Sequence, residues 1–153
     1  MQELSSIFSL FCIASLSLGT VLKIEAQKIF NVIDYGAVGD GITDDSLAFG
    51  KVWKDVCGES ESIPILNIPM GMTFLLKPVN FKGPCNSITV NVQVLGNIVA
   101  PESISAWGDY CTDDCWLKFE NVDGLIINGT GQIDGKGSAW WGDQVDHFNI
   151  LVR

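Results

Sequence analysis

Positive charge is scarce in this sequence: nine Lys and Arg stand against eighteen Asp and Glu, a formal charge of −9. Nucleic acids and anionic membrane surfaces are bound by neutralising phosphates with Lys and Arg, so this balance excludes both as partners. Histidine is scarcer still, with His147 alone. A full membrane-spanning run is missing as well. The apolar stretch Ile7–Leu22 carries scattered Ser and Thr and covers 16 positions, short of the about 20 that a spanning helix needs. Charged residues make up only 18% against 47% hydrophobic, a composition that folds rather than staying disordered.

What is present begins with that stretch. Followed by Lys23 and by the small residue Ala26, it reads as a secretory signal peptide over residues 1–26, with Gly19 as a competing cleavage position. An uncleaved anchor and a buried element of the domain are the rival readings, because the first six residues carry Glu3 and no Lys or Arg. Cleavage leaves residues 27–153, which are 127 residues with a net charge of −8. That length fills one core and not two. The mature chain is expected to be secreted, with no membrane attachment after cleavage.

Cys12 leaves with the signal, so Cys57, Cys85, Cys111 and Cys115 remain, an even number suited to an oxidising compartment. Four cysteines allow three pairings, and spacing does not choose among them. A zinc site is the rival use, but C-x₃-C without a second close pair, and with only the distant His147, is not zinc-ligand spacing. No metal or cofactor is implied. Asn128-Gly129-Thr130 is a glycosylation sequon, meaningful in a secreted chain.

One helix is expected, between Asp44 and Cys57. Phe49, Val52, Trp53 and Val56 recur at i, i+3, i+4 and i+7 on one stripe. Asp44 and Asp45 suit the positive end of its dipole, and Gly58 is a natural stop. Gly50 costs about 1 kcal/mol relative to Ala, so packing has to hold this helix as a cap on something larger. Short strands follow. Ile88, Val90, Val92 and Val94 alternate with Thr89, Asn91 and Gln93, and shorter apolar groups lie at Ile98-Val99, Trp116-Leu117 with Phe119, Leu125-Ile126-Ile127 and Ile133. Gly, Asn and Asp punctuate them, and Gly96-Asn97-Ile98 recurs as Gly131-Gln132-Ile133, 35 positions on. Short strands with such corners in a weak repeat suit an all-β solenoid better than a sandwich.

Phe30-Asn31-Val32, Asp34-Tyr35-Gly36-Ala37, Gly39-Asp40-Gly41 and Thr43-Asp44-Asp45 resemble the opening of right-handed parallel β-helix proteins that act on polysaccharides. Ile68-Pro69-x-Gly71-x-x-Phe74-Leu75-Leu76-x-Pro78-Val79-x-Phe81-x-Gly83-Pro84-Cys85 is narrower, and resembles the plant polygalacturonases of glycoside hydrolase family 28. Val94 to Pro101, Trp116-Leu117-x-Phe119 and Gly129-x-Gly131-x-Ile133-Asp134-Gly135-x-Gly137-x-x-Trp140-Trp141 continue the likeness in the family's order. The resemblance implies a right-handed parallel β-helix with an N-terminal capping helix, incomplete at its C-terminal end. It also implies hydrolysis of α-1,4-galacturonosyl bonds in pectin homogalacturonan at the cell wall, with inversion and without a metal. Trp140 and Trp141 can serve as a sugar-stacking platform, although packing over coil edges is the commoner use of such rings.

Glycoside hydrolysis needs one carboxyl to protonate the leaving oxygen and another to activate water. The resembled family supplies these from Asn-Thr-Asp and Gly-Asp-Asp-Cys motifs, supported by Gly-His-Gly and Arg-Ile-Lys, all downstream of the Trp140-Trp141 block. None of the four occurs in these 153 residues. Thr112-Asp113-Asp114-Cys115 looks like the acidic block but precedes Ile133-Asp134-Gly135, and reads as a loop with a solvated tip. His147 is followed by Phe148 and is not carried over. No catalytic residue is therefore assigned, and the chain is expected to be the N-terminal part of a polygalacturonase, inactive alone. A non-catalytic β-helix fragment that binds pectin or is inert is the alternative. A calcium-dependent lyase is disfavoured by the polygalacturonase-type blocks. Cys57 is expected to pair with Cys85, joining the end of the helix to the close of the Phe74–Phe81 segment, and Cys111 with Cys115 by proximity.

Overall fold

The computed structural model describes residues 26–103, 105–107, 115–140 and 149–152. Their strands are short because glycines and prolines interrupt each apolar run after a few residues. The chain opens with β1 (Gln27–Asn31), a 3₁₀ turn (Val32–Tyr35), β2 (Asp40–Asp44) and α1 (Ser46–Gly58). It continues through β3 (Ile63–Ile68), β4 (Thr73–Leu75) and β5 (Val79–Lys82), then β6 (Val90–Val94), β7 (Asn97–Val99) and β8 (Cys115–Glu120). Beyond these lie β9 (Leu125–Asn128), β10 (Gln132–Asp134), a second 3₁₀ turn (Gly137–Trp140) and β11 (Asn149–Val152).

Three sheets result, in the orders β1-β3-β6-β9, β2-β4-β7-β10 and β5-β8-β11. Every pairing is parallel. The chain visits the three sheets in rotation, one strand in each, and α1 stands in the first circuit where β5, β8 and β11 stand later. The 35-residue repeat is one such circuit: Asn97 pairs with Gln132 and Ile98 with Ile133. Glycine is required at its corner, since a Cβ at Gly96 would lie 2.2 Å from the Pro69 carbonyl oxygen and one at Gly131 1.9 Å from that of Gly96. Successive backbones touch there.

Inward-facing residues stack in columns. Phe30, Leu66, Val92 and Ile127 form one, and Phe74, Ile98 and Ile133 another. Phe81 stacks on Phe119 at 4.7 Å between ring centres, with Trp53 of α1 against both. The helical stripe is buried as its spacing requires: Phe49, Val52, Trp53 and Val56 are at most 5% exposed. With them α1 packs on β1, β3 and β5. At the opposite side Ile127 of β9 remains 40% exposed. An apolar cavity of about 130 Å³ lies within the columns, lined by Phe49, Leu66, Val92, Ile98, Ile127 and Ile133 among others.

Two expectations shift in detail. The alternating strand begins at Val90, leaving Ile88 outside it and 81% exposed. The helix begins at Ser46 and includes Gly58, with Glu59 as its C-cap.

Candidate functional site

The outward residues of the sheets form polar columns that the sequence order hides. Asn31, Asn67, Gln93 and Asn128 share one register position across the first sheet. Asp40, Thr73, Asn97 and Gln132 share another across the second, where the Asn97 amide donates to the Thr73 hydroxyl at 3.4 Å. On the third, Asn80 and Lys82 of β5 lie beside Lys118 and Glu120 of β8. Asn80 Nδ2 donates to Glu120 Oε2 at 3.1 Å, and Lys118 Nζ lies 3.6 Å from the same carboxylate. These rows offer amides, hydroxyls and charges at the strand spacing of about 4.8 Å, a surface that suits hydroxyl-rich ligands.

The carboxyls in and around these columns serve as acceptors. Backbone N–H groups of Thr43 and Ile42, with the Thr43 hydroxyl, hold Asp40 below its ordinary range. Burial pushes Asp44 upward but is outweighed by hydrogen bonds from Ser46 and the Lys77 ion pair at 3.3 Å, so it too is lowered. Lys28 and the Glu61 N–H bring Glu59 down to about 2. Asn80 and Lys118 lower Glu120, and the Lys136 N–H lowers Asp134. A general acid for glycoside cleavage has to be held high, not low. These five are anions at neutral pH. Tyr35 moves the other way, to about 12, through burial and its 2.8 Å bond to Asp55.

Asp44 and Asp45 do not both serve the helix. Asp44 accepts from the Ser46 N–H and hydroxyl at the helix start. Asp45, only 2% exposed, makes no side-chain cap and instead accepts from the N–H groups of Val38 and Gly39 at 2.7 and 3.1 Å. Nothing in the sequence pattern separates the two. The structure bonds Cys57 to Cys85, with Cα atoms 4.4 Å apart, tying the last turn of α1 to the loop after β5. Asn128 is exposed at the end of β9. Cys111, Asp113, Asp114, Trp141 and His147 lie outside the described residues, and so do the side chains of Cys115 and Trp140. The expected Cys111–Cys115 pair and the tryptophan platform fall there too. Among the described residues, no group of three or more His, Cys, Asp or Glu gathers as metal ligands.

Residues 57–149 match the glycosyl hydrolases family 28. The chain belongs to that family. Over 119 residues it is 44% identical to a probable polygalacturonase of Arabidopsis thaliana, covering 76% of this chain and 25% of the relative. It is 36% identical to polygalacturonase-2 of Solanum lycopersicum, over 74% of this chain and 24% of that protein. An exopolygalacturonase of Arabidopsis thaliana is 42% identical over 74% of this chain and 25% of its own length. The chain thus spans about a quarter of the length of the curated relatives it matches. The family 28 match takes in β3 to β10 whole, and with them the Cys57–Cys85 bond and the polar columns except Asn31 and Asp40.

Proposed function

We propose that this chain is the N-terminal part of a secreted, polygalacturonase-type glycoside hydrolase that cleaves α-1,4-galacturonosyl bonds of homogalacturonan in the cell wall. The observation that carries this reading is the match to glycosyl hydrolases family 28 together with identities of 36–44% to polygalacturonases. The three parallel sheets visited in rotation, with α1 at one end, support a right-handed parallel β-helix whose first turns these are. The acid and base carboxyls are assigned to downstream blocks that these 153 residues do not contain. The chain by itself is read as non-catalytic, a fragment that binds pectin or is inert, and the lowered state of the five carboxyls above favours the absence of a general acid among them. Export with cleavage near Ala26, a Cys111–Cys115 bond and a glycan on Asn128 belong to the same proposal.

The test is reducing-sugar release from polygalacturonate by residues 27–153 and by a longer chain carrying the four downstream blocks. The longer chain is expected to be active and the short one to match a heat-treated control. An inactive longer chain would refute the polygalacturonase reading. Turnover by the short chain would refute the assignment of its carboxyls, and Asp113→Ala and Asp114→Ala would then be the first variants. N-terminal sequencing of exported material checks the cleavage near Ala26.

A further inference from the structure

A groove of about 390 Å³ opens on the outer side of the molecule, between α1 and the third sheet. Gly50, Lys54 and Gly58 of α1 line one wall; Asn80 and Lys82 of β5, with the loop to Asn86, line the other. The walls are fastened to each other. Besides the Cys57–Cys85 bond, Asn86 donates its backbone N–H to the Cys57 carbonyl and its Nδ2 to that of Gly58, both at 2.9 Å. Trp53 Nε1 donates to the Lys82 carbonyl at 3.1 Å beneath them. A recess already held in shape gives up little freedom when it is filled.

Its chemistry runs against that of the molecule. In a chain of net charge −9, no Asp or Glu lines the groove. Lys54 and Lys82 line it on opposite walls, both exposed, and among the described residues neither forms an ion pair. Glu120 lies opposite Lys82 in register and feels its charge, but its nearest partners are Asn80 and Lys118. Asn80 and Asn86 each use Nδ2 on the protein, and among the described residues no donor reaches their Oδ1 atoms. Gly50 also opens the groove wall. It sits mid-helix on the exposed face with no positive φ, and nothing lies within 4 Å of where its Cβ would stand. Neither backbone geometry nor packing calls for glycine, which weakens a helix. A side chain at this position would project from the wall of the groove.

We propose that this groove binds a uronate unit of an acidic glycan. Lys54 and Lys82 hold the carboxylate, and the Asn80 and Asn86 carbonyls accept from ring hydroxyls. The choice of a saccharide rests on the polygalacturonase reading above. An acidic peptide, whose backbone N–H groups could also serve the amide acceptors, is the rival occupant that the triglutamate titration tests. The groove would act as an anchoring site on the helix-covered flank of the molecule, separate from the polar columns of the first two sheets.

The test is titration of the full chain with trigalacturonate, followed by amide chemical shifts, alongside its methyl ester and triglutamate. Lys54→Gln with Lys82→Gln is expected to weaken trigalacturonate binding by about tenfold or more, as is methyl esterification, since each removes charge-assisted contacts. Gly50→Gln is expected to weaken it by about fivefold or more while folding at least as well, because it improves helix propensity. Lys51→Gln, on the same helix but outside the groove, should change binding by less than about twofold. Trigalacturonate binding that ignores the groove variants would overturn the inference and leave the family activity standing, since that is read from reducing sugars. Triglutamate binding as tightly, or no saturable binding of trigalacturonate, would also overturn it.

Discussion

Asp45 is buried against two backbone N–H groups, whereas Asp44 serves the helix start from a partly exposed position. Removing a buried acceptor strands its donors, so Asp45→Ala is expected to cost about 2–3 kcal/mol. Asp44→Ala loses the contacts from Ser46 and an exposed ion pair with Lys77, about 1 kcal/mol. Urea unfolding of the two variants should rank them in that order. A helix-start pair was legible from sequence; which member turns back to Val38 and Gly39 was not, because that depends on where the preceding loop passes. Glu59 carries a pH signature. An anion at a helix C-terminus is unfavourable in itself, and Lys28 on β1, 2.5 Å away, compensates. Its folded pKa of about 2 lies below the ordinary 4.5. The stabilisation is therefore complete above that ordinary value and fades as pH falls from about 5 toward 2. Glu59→Gln should lower Tm at pH 7 and show a smaller further loss across that window. Melting curves at stepped pH check both.

Helix α1 was the most legible element, because four apolar residues at helical spacing have no other way to share one face. Its exposed Gly50 is a weak point, and Gly50→Ala is expected to raise stability by about 1 kcal/mol, visible as a Tm several degrees higher. Strand β6 was equally plain through its alternation, though the alternation overran its start by including Ile88. The polar columns were not legible. Their members stand 36, 26 and 35 positions apart along the first sheet, as in Asn31, Asn67, Gln93 and Asn128. Without equal circuits no fixed period marks them. The 35-residue repeat surfaced only where two successive corners needed glycine at the same place.

At the scale of the molecule, the Cys57–Cys85 bond closes a loop across 28 positions and joins the helical end to the third sheet. The chain-entropy model gives such a loop about 3–4 kcal/mol. Cys57→Ser with Cys85→Ser should therefore lower the urea midpoint markedly, with the loss concentrated in the helical end when followed by hydrogen exchange. One further consequence lies in the spacing of stacked partners. Thr73 and Asn97 are 24 positions apart and Val79 and Leu117 are 38, the other pairings falling between. The separation does not lengthen as strands accumulate away from α1. In most folds a longer chain must close wider loops, and assembly slows as it grows. Here each new rung closes a loop of similar length against a template already standing, so its entropic toll is nearly constant. Such a chain can assemble the way a filament grows, from the α1 end outward and in the order in which a ribosome delivers it.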